Sequence, residues 1–183
     1  MKKLCIITGG PGAGKTTLLN ELSRRGFITV PEEGRRIIRE QIDTHGEGLP
    51  WKNKEYFAEL MFDASVKIFQ KMRDSSSSEI VFFDRGIVDT LGYLNLENIP
   101  IPHEMRVKAK EMMYHKSVFI LPPWKAIYEN DEERKQTFEV AESTFNHIKR
   151  IYQEYSYNLV EVPKAEVSER ADFILDFIRT EVF

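Results

Sequence analysis

The stretch GGPGAGKT, residues 9–16, restricts the fold of this chain more than any other part of its sequence. It satisfies the pattern GxxxxGK(S/T) and lies between a short apolar run, 4–8, and a helix predicted over 15–25. Backbone amides in such a loop converge on phosphate oxygens, and the dipole of the following helix favours the same negative charge. The sequence therefore predicts that a nucleoside triphosphate binds at the end of the first strand.

The residues of this loop have separate expected roles. We expect the Lys15 ammonium to reach the terminal phosphates and the Thr16 hydroxyl to bind Mg²⁺, so that ATP and Mg²⁺ are the expected cofactors. A glycine-rich structural turn is the alternative, but the placement between strand and helix favours nucleotide binding. The expected nucleotide contacts are Gly9, Gly10, Pro11, Gly12, Ala13, Gly14, Lys15, Thr16 and Thr17.

Apolar runs and amphipathic segments alternate along the rest of the chain. Further strands are predicted at 27–30, 80–84, 117–121 and 158–162, and helices at 33–43, 52–73, 88–96, 104–115, 138–155 and 167–182. Because parallel neighbouring strands need crossover connections, this order predicts an α/β fold whose parallel sheet is covered by helices on both faces. With no linker and no repeat in 183 residues, we expect a single domain over residues 1–183.

The amino-acid composition restricts the cellular compartment and the kinds of partner that we expect for this protein. Hydrophobic residues make up 42% and charged residues 30% of the sequence, as is typical of a soluble globular protein. The formal net charge of −3 argues against a general nucleic-acid-binding protein. No apolar stretch approaches the roughly 20 residues that a membrane helix needs, and the single Cys5 forms no internal disulfide. We therefore expect a cytoplasmic protein, not integral to a membrane, that binds a nucleotide and a small-molecule substrate; its oligomeric state stays open.

An Asp-Arg pair is expected beside the phosphate loop. Asp84 ends the predicted strand 80–84, so its carboxylate is expected at the edge of the sheet where ligands bind in open α/β folds. There it would order water around Mg²⁺, although an Asp in this place can also begin a turn or cap a helix. Arg85 follows directly and suits a site that must hold a polar or anionic acceptor.

Two glutamates follow the second predicted strand at the same edge. A carboxylate of Glu32 or Glu33 at this edge could take the proton from an acceptor hydroxyl. Alternatively, one or both stabilise the N-terminus of the next helix through its dipole. The sequence leaves these two interpretations open, and Glu32 is our candidate catalytic residue.

A polar segment, 130–137, lies between the fourth predicted strand and a long helix. A mobile segment that brings a cation onto a transferred phosphate stabilises its charge and excludes water. Arg134 is the first candidate for such a cation, and Lys135 is the second.

Six segments together resemble a known group. They read CIITGGPGAGKTTLL, VPEEGRRII, FFDRG, FILPPW, YENDEERKQTFEVA and VEVPKAEVSERADFIL, and they span nearly the whole chain in order. In this combination the chain resembles the P-loop nucleoside and nucleotide kinase-like proteins of a small AAA-named family of predicted ATPases, which is similar to the ribosylnicotinamide kinase module of a bacterial NAD-synthesis regulator.

This resemblance implies a three-layer P-loop NTPase fold, with a five-stranded parallel sheet, helices on both faces and a helical lid that carries Arg134. It also implies that the loop of Pro163, Lys164 and Ala165 borders the nucleobase. The chain lacks the extra helical domain and the further arginines of ring-forming ATPases, which disfavours a hexameric motor.

Three functions fit these motifs. The first is a kinase that transfers the γ-phosphate of ATP to a small, nucleoside-like acceptor, with Glu32 or Asp84 activating its hydroxyl. The second is a switch protein whose ATP-bound or GTP-bound conformation is read by a partner, and the third is slow hydrolysis without an acceptor. An Asn-Lys-x-Asp segment that would read guanine is missing, which disfavours a GTPase and leaves GTP open.

Overall fold

The computed structural model describes residues 3–75, 79–127 and 138–181. Its strands are β1 (Lys3–Gly9), β2 (Ile28–Val30), β3 (Ile80–Asp84), β4 (Ser117–Leu121) and β5 (Asn158–Glu161). Its α helices are α1 (Lys15–Arg24), α2 (Glu33–Asp43), α3 (Lys54–Asp74), α4 (Ile87–Leu96), α5 (His103–Glu111), α6 (Phe138–Glu154) and α7 (Val167–Thr180). No helix among these combines the length and the apolar character that crossing a membrane requires.

The five strands form one parallel sheet in the order β2-β3-β1-β4-β5. In the register of the sheet, Ile7 of β1 lies opposite Asp84 of β3 and Phe119 of β4. All five residues of β4 are buried, as expected for a central strand that is covered on both faces. The predicted α/β class with a five-stranded parallel sheet is confirmed.

Alternate residues of each strand pack against different helices. Towards one face, side chains of the strands pack with α3, α4 and α6, and this core includes Ile6, Phe83, Ile120, Phe62, Leu91 and Ile148. Towards the other face they pack with α1 and α7, and this core includes Ile7, Phe82, Phe119, Leu18, Leu22 and Ile174. The period of two along a strand therefore divides the core into two layers around the sheet, as a three-layer fold requires.

The structure shortens two of the predicted helices at particular residues. Helix α3 begins at Lys54, because the Asn53 side chain caps it by accepting a hydrogen bond from the Tyr56 amide at 3.0 Å. Helix α5 ends at Glu111 rather than near residue 115. The reason is tertiary: the His115 amide donates to the Leu4 carbonyl oxygen at 2.7 Å, so this part of the backbone pairs with β1 instead of continuing the helix.

Candidate active site

The phosphate loop connects β1 to α1 and requires glycine where it leaves the sheet. Gly9 has a φ of +146°, and a Cβ atom placed on it would lie 2.6 Å from the backbone oxygen of Leu121. Lys15 is only 7% exposed, and its ammonium donates to the carbonyl oxygens of Gly9 at 3.1 Å and Gly10 at 2.8 Å. Thr16, in contrast, is exposed at the first turn of α1. The loop thus holds a cation at its own centre and a hydroxyl at its rim.

Asp84 lies across from this loop at the end of β3, as its position in the sequence predicts. Burial raises the pKa of its carboxyl group, and the positive charges of Lys15 and Arg85 oppose that rise. The Oδ1 atom of Asp84 is buried without a hydrogen-bond partner among the described residues. A buried carboxylate oxygen with no partner in the protein is suited to bind a cation, a water molecule or a proton of a ligand.

Arg85 turns back over the end of the sheet. Its φ of +71° lies in the left-handed region, which costs a non-glycine residue about 1–3 kcal/mol and occurs most often at functional sites. Its guanidinium lies between two carboxylates, with Nε 3.3 Å from Oε1 of Glu32 and Nη1 3.3 Å from Oδ1 of Asp89. Burial alone would lower the pKa of Arg85, but the carboxylates of Glu32, Asp89 and Asp84 together raise it above its ordinary value.

Glu32 and Glu33 have different surroundings. Glu32 stands at the N-cap of α2 but makes no capping hydrogen bond; its side chain contacts Arg85 instead. Glu33 lies in the first turn of α2, near the positive end of its dipole, and accepts a hydrogen bond from Arg36 at 2.6 Å. Of the two interpretations left open by the sequence, helix stabilisation fits Glu33 and a position beside the site fits Glu32.

Asp89, whose side chain is only 7% exposed, belongs to this site and was not predicted from the sequence. Its Oδ1 accepts hydrogen bonds from the Thr8 hydroxyl at 2.6 Å and from Arg85, and its Oδ2 accepts from the Gly86 amide at 2.8 Å and from the Tyr152 hydroxyl. It therefore joins β1, the turn after β3, α4 and α6. Asp89 is the third residue of α4, where acidic side chains often reach back to the N-cap amide, whereas the helix predicted at 88–96 made it the second residue.

A cavity of about 360 Å³ opens beside these groups, between the sheet edge and helices α2, α3, α4 and α6. Its polar wall includes Glu32, Asp84, Arg85 and Asp89, and its apolar wall includes Phe57, Met61, Phe83 and Tyr93. This volume is at the small end of the range of roughly 300–1,000 Å³ that is typical of ligand pockets. The cavity has the size for a small metabolite, and Glu32, Asp84, Arg85 and Asp89 form one interacting group of charges beside Lys15.

On the opposite side of the phosphate loop, α7 supplies a second buried cation. The guanidinium of Arg170 lies 5.8 Å from the ring centroid of Trp124, and its Nη1 would lie 2.9 Å from a Cβ atom placed on Gly14. Arg170 is 6% exposed, its Nε has no hydrogen-bond partner among the described residues, and burial lowers its pKa despite the nearby Glu166. Arg170 was not predicted from the sequence, although it lies in the last of the six quoted segments.

The structure describes the residues predicted to border the nucleobase but not those predicted to form the lid. Pro163, Lys164 and Ala165 follow β5 just before α7, with Pro163 and Lys164 exposed. Their expected contact with a nucleobase remains a prediction. Arg134 and Lys135, with the rest of the predicted lid segment, lie outside the described residues.

A family model described as AAA domain matches residues 4–170. No curated protein matches the sequence significantly. The match nevertheless covers the phosphate loop, the Asp-Arg pair and most of the sheet.

Several solved structures share the fold at low sequence identity. The structure of the NadR protein in complex with NR has a TM-score of 0.69 and 17% identity, and the alignment covers 96% of this chain and 49% of that one. This chain therefore spans about half the length of that NadR chain. A thymidylate kinase from Candida albicans has a TM-score of 0.65 and 13% identity, covering 98% of this chain and 92% of that one. A shikimate kinase from Acinetobacter baumannii in complex with shikimate has a TM-score of 0.57 and 17% identity, covering 99% of this chain and 95% of that one. The expected resemblance to P-loop kinases is confirmed at the level of the fold.

Proposed function

The chain belongs to the AAA domain family whose model spans residues 4–170, and on that premise we propose that it is a kinase that transfers the γ-phosphate of ATP to a hydroxyl group of a small, nucleoside-like molecule. The observation that carries the proposal is the position of Glu32, Asp84 and Arg85. These three residues line a ligand-sized cavity that also reaches Pro11 of the phosphate loop. A protein that only sensed or hydrolysed ATP would not need a ligand-sized cavity beside the site of the phosphates.

The proposed transfer is an in-line displacement. The acceptor hydroxyl oxygen bonds to the γ-phosphorus of ATP while the bond from that phosphorus to the bridging oxygen breaks, and ADP leaves with the electron pair of that bond. The hydroxyl proton passes to the carboxylate of Glu32, which Arg85 holds in place at 3.3 Å. The ammonium of Lys15 and the guanidinium of Arg85 offset negative charge at the transferred group.

Mg²⁺ fits the residues on this edge of the sheet. The buried Oδ1 atom of Asp84 has no partner among the described residues, and Thr16 presents an exposed hydroxyl at the start of α1. Oxygen atoms of this kind are the ligands that Mg²⁺ prefers, and most of its remaining ligands would be phosphate oxygens and water. When bound, the ion would neutralise charge on the β- and γ-phosphates.

The nucleotide contacts proposed for residues 9–17 and for Pro163, Lys164 and Ala165 extend to Arg170. This cation lies beside Gly14 and adjoins the loop that follows β5, so we place the ATP base and ribose on that side of the phosphate loop. Arg134 is proposed to close over the transferred phosphate. We further propose that residues 1–183 form one domain and that the protein works in the cytoplasm.

Incubation with labelled ATP, Mg²⁺ and a panel of hydroxyl acceptors tests the proposal. The wild-type protein should label at least one acceptor, and Lys15→Ala should abolish labelling by weakening the binding of ATP. Glu32→Gln should lower the turnover number by about 10²–10⁴-fold while ATP binding stays within about twofold. Glu40→Gln, an exposed carboxylate of α2 that pairs with Arg36 at 2.8 Å, is the matched control and should keep full activity.

The contrary outcomes separate the alternatives. If ATP binds but no acceptor is labelled, and a partner protein is captured only with ATP present, the switch function replaces the kinase. If Glu32→Gln transfers phosphate at the wild-type rate, the base is another group, and Asp84 is the next to test.

A further inference from the structure

Tyr93, a residue of the cavity wall, carries a buried polar atom that the proposed transfer does not use. Three buried side-chain atoms lack a hydrogen-bond partner among the described residues: Asp84 Oδ1, Arg170 Nε and the Tyr93 hydroxyl. Asp84 and Tyr93 both line the cavity. Since a buried unpaired polar group is costly, natural proteins usually keep one where a ligand or water pairs with it.

The ring of Tyr93 is held so that its hydroxyl can serve a ligand. Tyr93 is on α4, and its ring packs edge to face on Phe57 of α3, with ring centroids 5.8 Å apart at an interplanar angle of 82°. Burial, with a smaller contribution from the negative charge of Glu97, raises the pKa of Tyr93 to about 12. The phenol therefore keeps its proton at neutral pH and is a hydrogen-bond donor.

Tyr93 lies one turn of α4 beyond Asp89, and Glu97 is the charged residue of the cavity wall that follows it. Tyr93 is seven residues beyond Gly86, which at the rise of an α helix is about 10 Å along the axis of α4. For an acceptor whose reacting hydroxyl lies at Glu32, this rise along α4 sets the scale of the length that would reach Tyr93. A sugar joined to a single ring has a length of this order, whereas a small hydroxy acid is shorter.

The charge of the cavity wall disfavours acceptors that carry a phosphate or carboxylate group. Among the described residues, the wall has five acidic residues and two arginines: Glu32, Glu33, Asp84, Asp89, Glu97, Arg35 and Arg85. Glu33 and Glu97 pair with Arg36 and Lys54, which are not part of the wall, so that three carboxylates still face two guanidinium groups. An acceptor with its own phosphate or carboxylate would meet no surplus of positive charge from the described residues of this wall, which is unfavourable in a partly buried site.

We infer that the acceptor is an uncharged or cationic molecule in which a sugar-like hydroxyl group is joined to a flat ring, and that Tyr93 selects it by donating a hydrogen bond to a carbonyl oxygen or nitrogen of that ring. The inference rests on the proposed kinase function and adds the charge class of the substrate and a residue that determines specificity. Phe57 and Met61, on the same apolar wall, would cover the faces of the ring.

A kinase assay with matched acceptors tests the inference. Thymidine, adenosine and ribosylnicotinamide should be phosphorylated, and thymidine monophosphate and shikimate should not. Tyr93→Phe removes only an oxygen that has no partner among the described residues, so its melting temperature should be no lower than that of the wild type. With the best acceptor, its KM should rise about three- to tenfold while kcat stays within about twofold, as expected for one lost neutral hydrogen bond.

Two controls isolate the hydrogen bond. Tyr56→Phe changes another tyrosine, 40% exposed on α3 and not part of the cavity wall, and should leave both kinetic constants unchanged. Ribosylbenzene, whose ring has no polar edge, should be a poor acceptor for the wild type and should be used equally well by Tyr93→Phe.

Each contrary result has a distinct meaning. Transfer to the monophosphate or to shikimate but not to the nucleosides would overturn the inference and leave the kinase function standing. Nucleoside kinetics of Tyr93→Phe equal to those of the wild type would overturn the role of Tyr93. ATP binding without transfer to any acceptor would reject the proposed kinase function, and the inference with it.

Discussion

Replacement of Asp89 by asparagine is the sharpest test of how the site is held together. The carboxylate of Asp89 is 7% exposed and accepts four hydrogen bonds, from Thr8, Arg85, Gly86 and Tyr152. An asparagine amide keeps one acceptor oxygen but turns an NH₂ group towards the donors at the other position. Hydrogen bonds to charged groups contribute about 1.5–3 kcal/mol each, so the loss of two would cost about 3–6 kcal/mol. We expect about 3–5 kcal/mol, the usual cost of breaking a buried ion pair.

Urea and thermal unfolding of the protein without ligands measure this cost. For a chain of this size, a loss of about 3–5 kcal/mol corresponds to a fall of about 6–20 °C in melting temperature. Asp63→Asn, an exposed aspartate on α3, is the control and should stay within about 0.5 kcal/mol of the wild type. Tyr152→Phe removes a single donor and should cost less than Asp89→Asn. If Asp89→Asn unfolds within about 0.5 kcal/mol of the wild type, the four hydrogen bonds do not stabilise the fold as argued.

Three further predictions concern the groups around the phosphate loop. The raised pKa of Asp84 means that the folded state gains stability when this carboxyl is protonated, and that this gain is complete below its ordinary value near 3.8 and lost as pH rises through the folded-state pKa. In urea titrations, Asp84→Asn should therefore be more stable than the wild type at neutral pH but not below about pH 4. The variant should also lose activity. A lower stability of the variant at neutral pH would contradict this reasoning. Gly9→Ala should lower stability by at least about 2 kcal/mol in urea titration, because its Cβ would lie 2.6 Å from the Leu121 oxygen at a φ of +146°, and near-wild-type unfolding would show that the loop relaxes freely. Arg170→Ala should weaken ATP binding about tenfold in calorimetry, the loss of one charge-assisted contact, whereas unchanged affinity would move the nucleotide away from α7.

Local sequence patterns were sufficient to predict the strands, the helices and the fold class of this protein. The alternation of apolar runs and amphipathic segments indicated the strands and helices, because a strand buried on two faces and a helix buried on one need different spacings of apolar residues. The glycine pattern placed the phosphate loop correctly between β1 and α1, since the backbone there must pass too close to Leu121 for any side chain. The position of Asp84 at the end of a strand was likewise sufficient to place it at the carboxyl edge of the sheet, where the cavity opens.

Contacts between residues far apart in the chain could not be predicted from the sequence. Helix α5 ends early because residue 115 pairs with β1, more than a hundred residues away, and no local preference records that. Asp89 was missed for the same reason: its donors come from Thr8 and Tyr152, which belong to opposite parts of the chain. Arg170 became notable only when folding brought α7 beside Gly14.

The sequence by itself determined which backbone segments form strands, helices and the phosphate loop, because backbone sterics and the burial of apolar side chains act over a few residues. Only the tertiary structure decided which of two neighbouring glutamates contacts Arg85, which charges share the cavity wall and which hydroxyl group of that wall has no hydrogen-bond partner among the described residues. Those properties depend on distances and on exclusion of water between segments far apart in the chain. They appear only once the parallel sheet has brought the ends of its strands to one edge.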